Sequence, residues 1–177
     1  MSKFKDMTKE ELKQEFIRWF GEEKWEEQEI IDFLEGIVCD VCREYLGISP
    51  VPVVFEKIKG NIAVFDNKLL CIKVNPDYKN DQIMLVSSIV HELEHYYQLL
   101  YASNFDTPKA RRWKYNFQHY IGEDDLYNNL RQEIEIDAEA FAVVILDCEF
   151  GIPYENPDPE IQALIRDYIR SGKLTEM

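Results

Sequence analysis

Residues 51–74 read VPVVFEKIKGNIAVFDNKLLCIKV, and this stretch decides the fold class. It holds three short runs rich in β-branched and aromatic residues, at 51–55, 62–65 and 69–74. Lys59-Gly60-Asn61 and Asp66-Asn67-Lys68 separate them. Such side chains suit a pleated surface and such separators suit tight turns, so the segment predicts three strands in an antiparallel meander. Asn75-Pro76-Asp77 ends the third strand, since proline cannot donate to a ladder.

Outward from the strands, the pattern turns helical on both sides. Thr8 to Glu11 fits a capping box, with Leu12, Phe16, Trp19 and Phe20 at helical spacing behind it and Gly21 as the stop. A second amphipathic helix is expected over 25–46, closed by Gly47 and Pro50. Beyond the strands, 81–103 lacks Gly and Pro and reads as a helix. Residues 104–123 carry no regular signal, 124–149 read as one long helix, and Asp158 caps a last helix with Pro159 in its first turn. Strands and helices are segregated along the chain, which argues α+β. The expectation is one domain over 1–177: a helical part at 8–46, a core at 50–150 and a C-terminal helix at 158–171.

The chain has 177 residues, enough for a core, and is 46% hydrophobic and 31% charged, the profile of a globular protein. Its net charge of −14 repels nucleic-acid backbones and anionic membranes, so neither is expected as a partner. No apolar run is long enough to span a bilayer, the N-terminus lacks the apolar core of a secretory signal, and the four cysteines are scattered. The expected compartment is the cytoplasm.

The chemistry concentrates in His91-Glu92-Leu93-Glu94-His95. Two histidines four apart on a helix share one face and can share one metal ion. Glu92 lies about 100° round the helix from His91, too far to join them as a ligand yet able to reach a water and take its proton. Two of the chain's three histidines sit in this segment, among apolar flanks, where a metal is the usual partner of a packed histidine pair. A catalytic zinc site needs a third ligand. His119 is the remaining histidine, but an acid on the later helix suits better: Glu133, Glu135, Asp137 and Glu139 fall within seven residues of an otherwise apolar stretch. A calcium site in that acidic cluster is a competing reading, and metal binding would then survive loss of both histidines.

With these residues the chain resembles the gluzincin peptidases, of which thermolysin is the familiar member. The stretch Glu135-Ile136-Asp137-Ala138-Glu139-Ala140-Phe141-Ala142 is closest to the small bacterial ImmA/IrrE-like metallopeptidases. The resemblance covers roughly residues 50 to 150, and it implies a zincin fold and zinc-dependent hydrolysis of a peptide or protein substrate. It places Glu135 as the third zinc ligand, with Glu133 and Asp137 as alternatives, and Glu139 as the group that hydrogen-bonds a ligand histidine. Glu92 becomes the general base, and His119, Tyr120 or Tyr127 the helper that faces a developing oxyanion. The chain departs from the pattern in the 39 residues between His95 and Glu135, and in Glu94 where glycine is common. The rival reading is a catalytically silent metal-binding or protein-interaction module.

Two other features are weaker. Cys39 and Cys42 form a CxxC on a helix with no second pair, and read as core cysteines. Lys109 to Lys114 is a local basic patch, read mainly as a solvated helix face.

Overall fold

The computed structural model describes residues 4–20, 25–122 and 125–176. It is a mixed α and β chain with seven α-helices and one three-stranded sheet among those residues. The fold divides into two compact units, 1–93 and 94–177.

In the first unit α1 (Lys9–Phe20) and α2 (Glu27–Val41) precede the sheet. The Thr8–Glu11 capping box forms as read: Thr8 N–H donates to Glu11 Oε2 at 2.7 Å. Gly21, the expected stop of α1, lies outside the described residues. The helices meet in an aromatic core, where Trp19 and Trp25 stack at 5.4 Å and Phe33 stands edge-on to both. Gly36 lets Phe4 approach α2 closely; a Cβ there would lie 2.7 Å from the Phe4 Cβ. α2 widens into a π turn over Cys42–Leu46, and Gly47 closes it at φ 62°, a left-handed conformation that glycine adopts without strain.

The sheet corrects the expected meander. Strands β1 (Val53–Phe55), β2 (Ala63–Asp66) and β3 (Cys71–Val74) lie in the order β1-β3-β2. β2 pairs antiparallel with β3, but β1 pairs parallel with it. The physical reason lies in the two connections. Residues 67–70 make a tight hairpin in which Asp66 Oδ1 accepts from the Lys68 and Leu69 N–H groups. Residues 56–62 are too long for a two-residue turn and carry the chain past β3 to its far side. Asn75 accepts from Asp77 N–H and caps a short 3-10 turn, ending β3 where the Asn-Pro-Asp signal placed it.

α3 (Gln82–Asn104) is one unbroken helix of 23 residues, as its lack of Gly and Pro indicated. The second unit takes up its last turns and adds α4 (Pro108–Gln118), α5 (Leu126–Asn129), α6 (Glu133–Ile145) and α7 (Pro159–Arg170). Two expectations fail here. Residues 104–123 are not irregular: Thr107 caps α4, its Oγ1 accepting from Ala110 N–H at 3.1 Å, with Pro108 at the first position. Nor is 124–149 one helix. It breaks between α5 and α6, where Gln132 is extended at the start of α6. Trp113 of α4 packs with Ala102 and Ile134, against Tyr97, Tyr101 and Phe117. α7 begins as read, with Asp158 Oδ1 accepting from Glu160 and Ile161 N–H.

Candidate metal centre

α3 has no breaker and a buried apolar stripe of Leu85, Val86, Ile89, Val90 and Leu93. That stripe holds the helix in place, and the next positions round it carry His91 and His95, one turn apart and half-buried. α6 supplies the third group. The break at 130–132 puts Glu135 in the first turn of α6, where the helix dipole favours a carboxylate. His91, His95 and Glu135 each bring one ligand atom to within 4.8 Å of the others. His95 Nε2 lies 3.4 Å from Glu135 Oε2.

Glu135 is 5% exposed, and its two oxygens have different partners. Oε1 accepts the Tyr120 hydroxyl at 2.6 Å, and Asn129 Nδ2 donates to that hydroxyl at 3.1 Å. Oε2 is the oxygen on the histidine side. A buried carboxylate with one oxygen held by a hydroxyl and the other facing an imidazole nitrogen suits a cation between them. The donor set of two imidazoles and one carboxylate is one that zinc accepts, so these residues fit the metal that the sequence implied.

Glu92 accepts the Phe65 N–H at 2.8 Å, which ties its carboxylate to strand β2. On the other side of the motif, His95 Nδ1 lies 2.9 Å from Gln98 Oε1. Gln98 is fully buried, and its Nε2 donates to Ile134 O and to Asp137 Oδ2. Burial pushes the Asp137 carboxyl above the usual carboxylate range, opposed by hydrogen bonds from Tyr168 and Gln98. Burial, with the neighbouring Asp137 carboxylate, pushes the Tyr168 hydroxyl up as well.

The remaining sequence candidates sort as follows. Glu139 lies one turn after Glu135 on α6, and its Oε1 accepts from Asn156 Nδ2 at 2.6 Å. His119 ends α4; its ring stacks on Tyr115 at 4.0 Å and its Nδ1 meets the Tyr115 carbonyl. Of the three oxyanion candidates, it is Tyr120 whose hydroxyl touches a residue of the three-ligand group. Glu133 pairs with Arg112 at 3.8 Å and Lys173 at 3.6 Å. Gln98 and Asn129 were not singled out from the sequence. Gln98 was within reach: it follows His95 by three, the spacing that puts two side chains on one helix face.

Two arginines of the basic patch form ion pairs within the second unit, Arg112 with Glu133 and Arg111 with Asp106 at 2.7 Å. Lys109 is buried with its Nζ over the Trp113 ring at 4.6 Å. Cys42 is buried and its thiol is pushed up to about 12 by that burial, as a core cysteine would be. Among the described residues no helix is long and apolar enough to cross a membrane.

The chain matches no protein-family model, and no curated protein or solved structure matches it.

Proposed function

We propose that this chain is a zinc-dependent peptidase of narrow specificity, of the gluzincin type and nearest to the ImmA/IrrE-like enzymes. Its substrate is a peptide or protein, and its compartment the cytoplasm. The observation that carries the reading is the convergence of His91, His95 and Glu135, with ligand atoms within 4.8 Å of one another. These three would hold the ion, and Glu139 would hydrogen-bond a ligand histidine. When bound, zinc would supply Lewis acidity toward a carbonyl and a water.

The chain's own residues account for the rest. Glu92 follows the first ligand histidine and takes a proton from water, then returns it to the leaving amine. Its bond to the Phe65 N–H holds the carboxylate at strand β2. β2 is an edge strand, and an extended peptide adds to such an edge by main-chain pairing. Tyr120 keeps Glu135 oriented through Oε1, which accepts its hydroxyl, and His119 is the group proposed to face a developing oxyanion.

The same Glu92–Phe65 bond favours a second reading, in which the carboxylate is structural and the chain holds a metal without hydrolysis. Metal analysis and hydrolysis of casein separate the two. The peptidase reading expects one zinc per chain, lost in His91→Ala. It expects Glu92→Gln to keep zinc and lose hydrolysis by roughly 10²- to 10⁴-fold, the usual contribution of a general base. Zinc without hydrolysis in the wild type supports the silent module. A chain without stoichiometric zinc sinks both, and metal retained after loss of both histidines supports the acidic-cluster site.

A further inference from the structure

Gln98 sits in the middle of α3 with no exposure to solvent, and its partners determine which way its amide faces. One side lies 3.1 Å from the Ile134 carbonyl and 3.0 Å from Asp137 Oδ2. A main-chain carbonyl can only accept, so the NH₂ group must be on that side. The amide oxygen is then fixed toward His95 Nδ1, at 2.9 Å. An oxygen there can only accept, so Nδ1 carries the proton. In the neutral ring this leaves Nε2 as the lone-pair nitrogen, and it is Nε2 that faces Glu135 Oε2 at 3.4 Å. Asp137, 2% exposed, accepts the Gln98 N–H at 3.0 Å. The chain His95–Gln98–Asp137 thus links α3 and α6 inside one unit.

We propose that Gln98 is a positioning residue that holds His95 in its Nδ1-protonated tautomer with Nε2 presented to a metal, and that Asp137 in turn locks the Gln98 amide. The proposal rests on the reading of His91, His95 and Glu135 as ligands. It adds a role for Asp137 other than that of an alternative ligand. A neutral amide here does for His95 what an outer carboxylate commonly does for a ligand histidine, and loss of such a partner typically weakens metal affinity 10- to 100-fold.

The test uses the full chain and zinc alone. ¹⁵N NMR of the imidazole ring reads the His95 tautomer in the metal-free protein, and competition with a chelator reads zinc affinity. Gln98→Met keeps the volume and removes both hydrogen-bonding roles. It is expected to move His95 away from the pure Nδ1–H form and to weaken zinc 10- to 100-fold. Asp137→Asn can still accept from the Gln98 amide, and is expected to keep the wild-type tautomer and affinity within a few-fold; Asp137→Leu is expected to behave like Gln98→Met. Ile165→Ala, an apolar core change in the same unit, controls for lost stability and leaves both readouts unchanged. An unchanged tautomer and affinity in Gln98→Met overturns the proposal. A wild type that binds no zinc overturns the metal reading instead, while the tautomer shift still decides the role of Gln98. If Gln98→Met does not fold, Asp137→Leu against Asp137→Asn decides the question by the same two readouts.

Discussion

The two units bury different chemistry. The first closes on stacked and edge-on rings, and the polar side chains it buries among the described residues (Asp40, Asn75 and Ser87) have local work. Asp40 pairs with Arg43, Asn75 holds the Ile58 and Asn61 carbonyls, and Ser87 bonds back to Met84 O. The second unit buries Glu94, Gln98, Lys109, Asn129, Glu135, Asp137 and Gln162. One of these joins separate helices: Gln98 of α3 bonds Asp137 of α6. Burying ionisable groups is costly unless each finds partners, and an apolar core of equal volume would be at least as stable. The second unit bears this cost, whereas the first closes on packed aromatic rings.

The sharpest way to break this contrast is to damage the aromatic core and read metal binding at His91, His95 and Glu135. Phe33, fully buried among Phe4, Phe16, Trp19 and Trp25, is the centre of the aromatic core. Phe33→Ala is expected to cost about 3–5 kcal/mol in denaturant unfolding. The protein that remains folded is expected to hold zinc at the wild-type ratio; selective zinc loss would join what the contrast separates.

Tyr120→Phe makes the opposite cut. The ring stays and only the donor to Glu135 Oε1 goes. A hydrogen bond to a charged group is worth about 1.5–3 kcal/mol, so zinc affinity should fall at least about tenfold with little change in melting temperature. Equal losses in both would make Tyr120 a packing residue.

The cysteines sharpen the contrast at lower cost. Cys42 is buried with its thiol pushed up to about 12, whereas Cys148 is exposed. In native protein at neutral pH, iodoacetamide followed by peptide mapping should label Cys148 and leave Cys42 intact until the chain unfolds. Fast labelling of Cys42 would mean that the first unit opens readily.

The smallest effect is at the hairpin between β2 and β3. Hydrogen bonds from the Leu69 N–H, from Lys73 and from the Lys68 N–H hold the Asp66 carboxyl below its ordinary value. A depressed carboxyl stabilises the fold above the ordinary carboxylate range, and this contribution is lost as pH falls through the folded value. Asp66→Asn should therefore melt slightly lower at neutral pH, with the gap closing in acid. A gap independent of pH would assign the effect to the turn and not to the charge.

Legibility in the sequence followed how local each determinant was. α3 could be read because its pattern is periodic and unbroken. The caps at Thr8 and Asp158 could be read because a cap is settled within four residues. β1 could not be placed, since its neighbour depends on where a seven-residue connection runs and the strand pattern is the same on either side of β3. α4 was missed although Thr107-Pro108 is a capping signal; the aromatic and basic residues behind it lack a clear apolar stripe, and Trp113 and Lys109 find their burial only in packing. The break before α6 was invisible because Leu130 to Gln132 contains no glycine or proline, and the interruption comes with the bonds of Gln132 and Asn129 to Ile121. At the site, the spacing of His91 and His95 was plain from helix geometry. The orientation of the His95 ring was not, because the Gln98 amide that meets its Nδ1 is itself held by Asp137, 39 residues further on.

The bond from the Phe65 N–H to Glu92 has a further use. A main-chain amide that donates to a carboxylate is a spectroscopic witness to it, since its proton frequency follows the charge on the acceptor. The Phe65 cross-peak in a ¹H–¹⁵N spectrum would report on Glu92 without touching the side chain. On the function proposed above, metal loading and the arrival of a peptide at β2 would each move that one resonance. The strand is thus also a gauge of Glu92, readable in wild-type protein without a label on any residue of the motif.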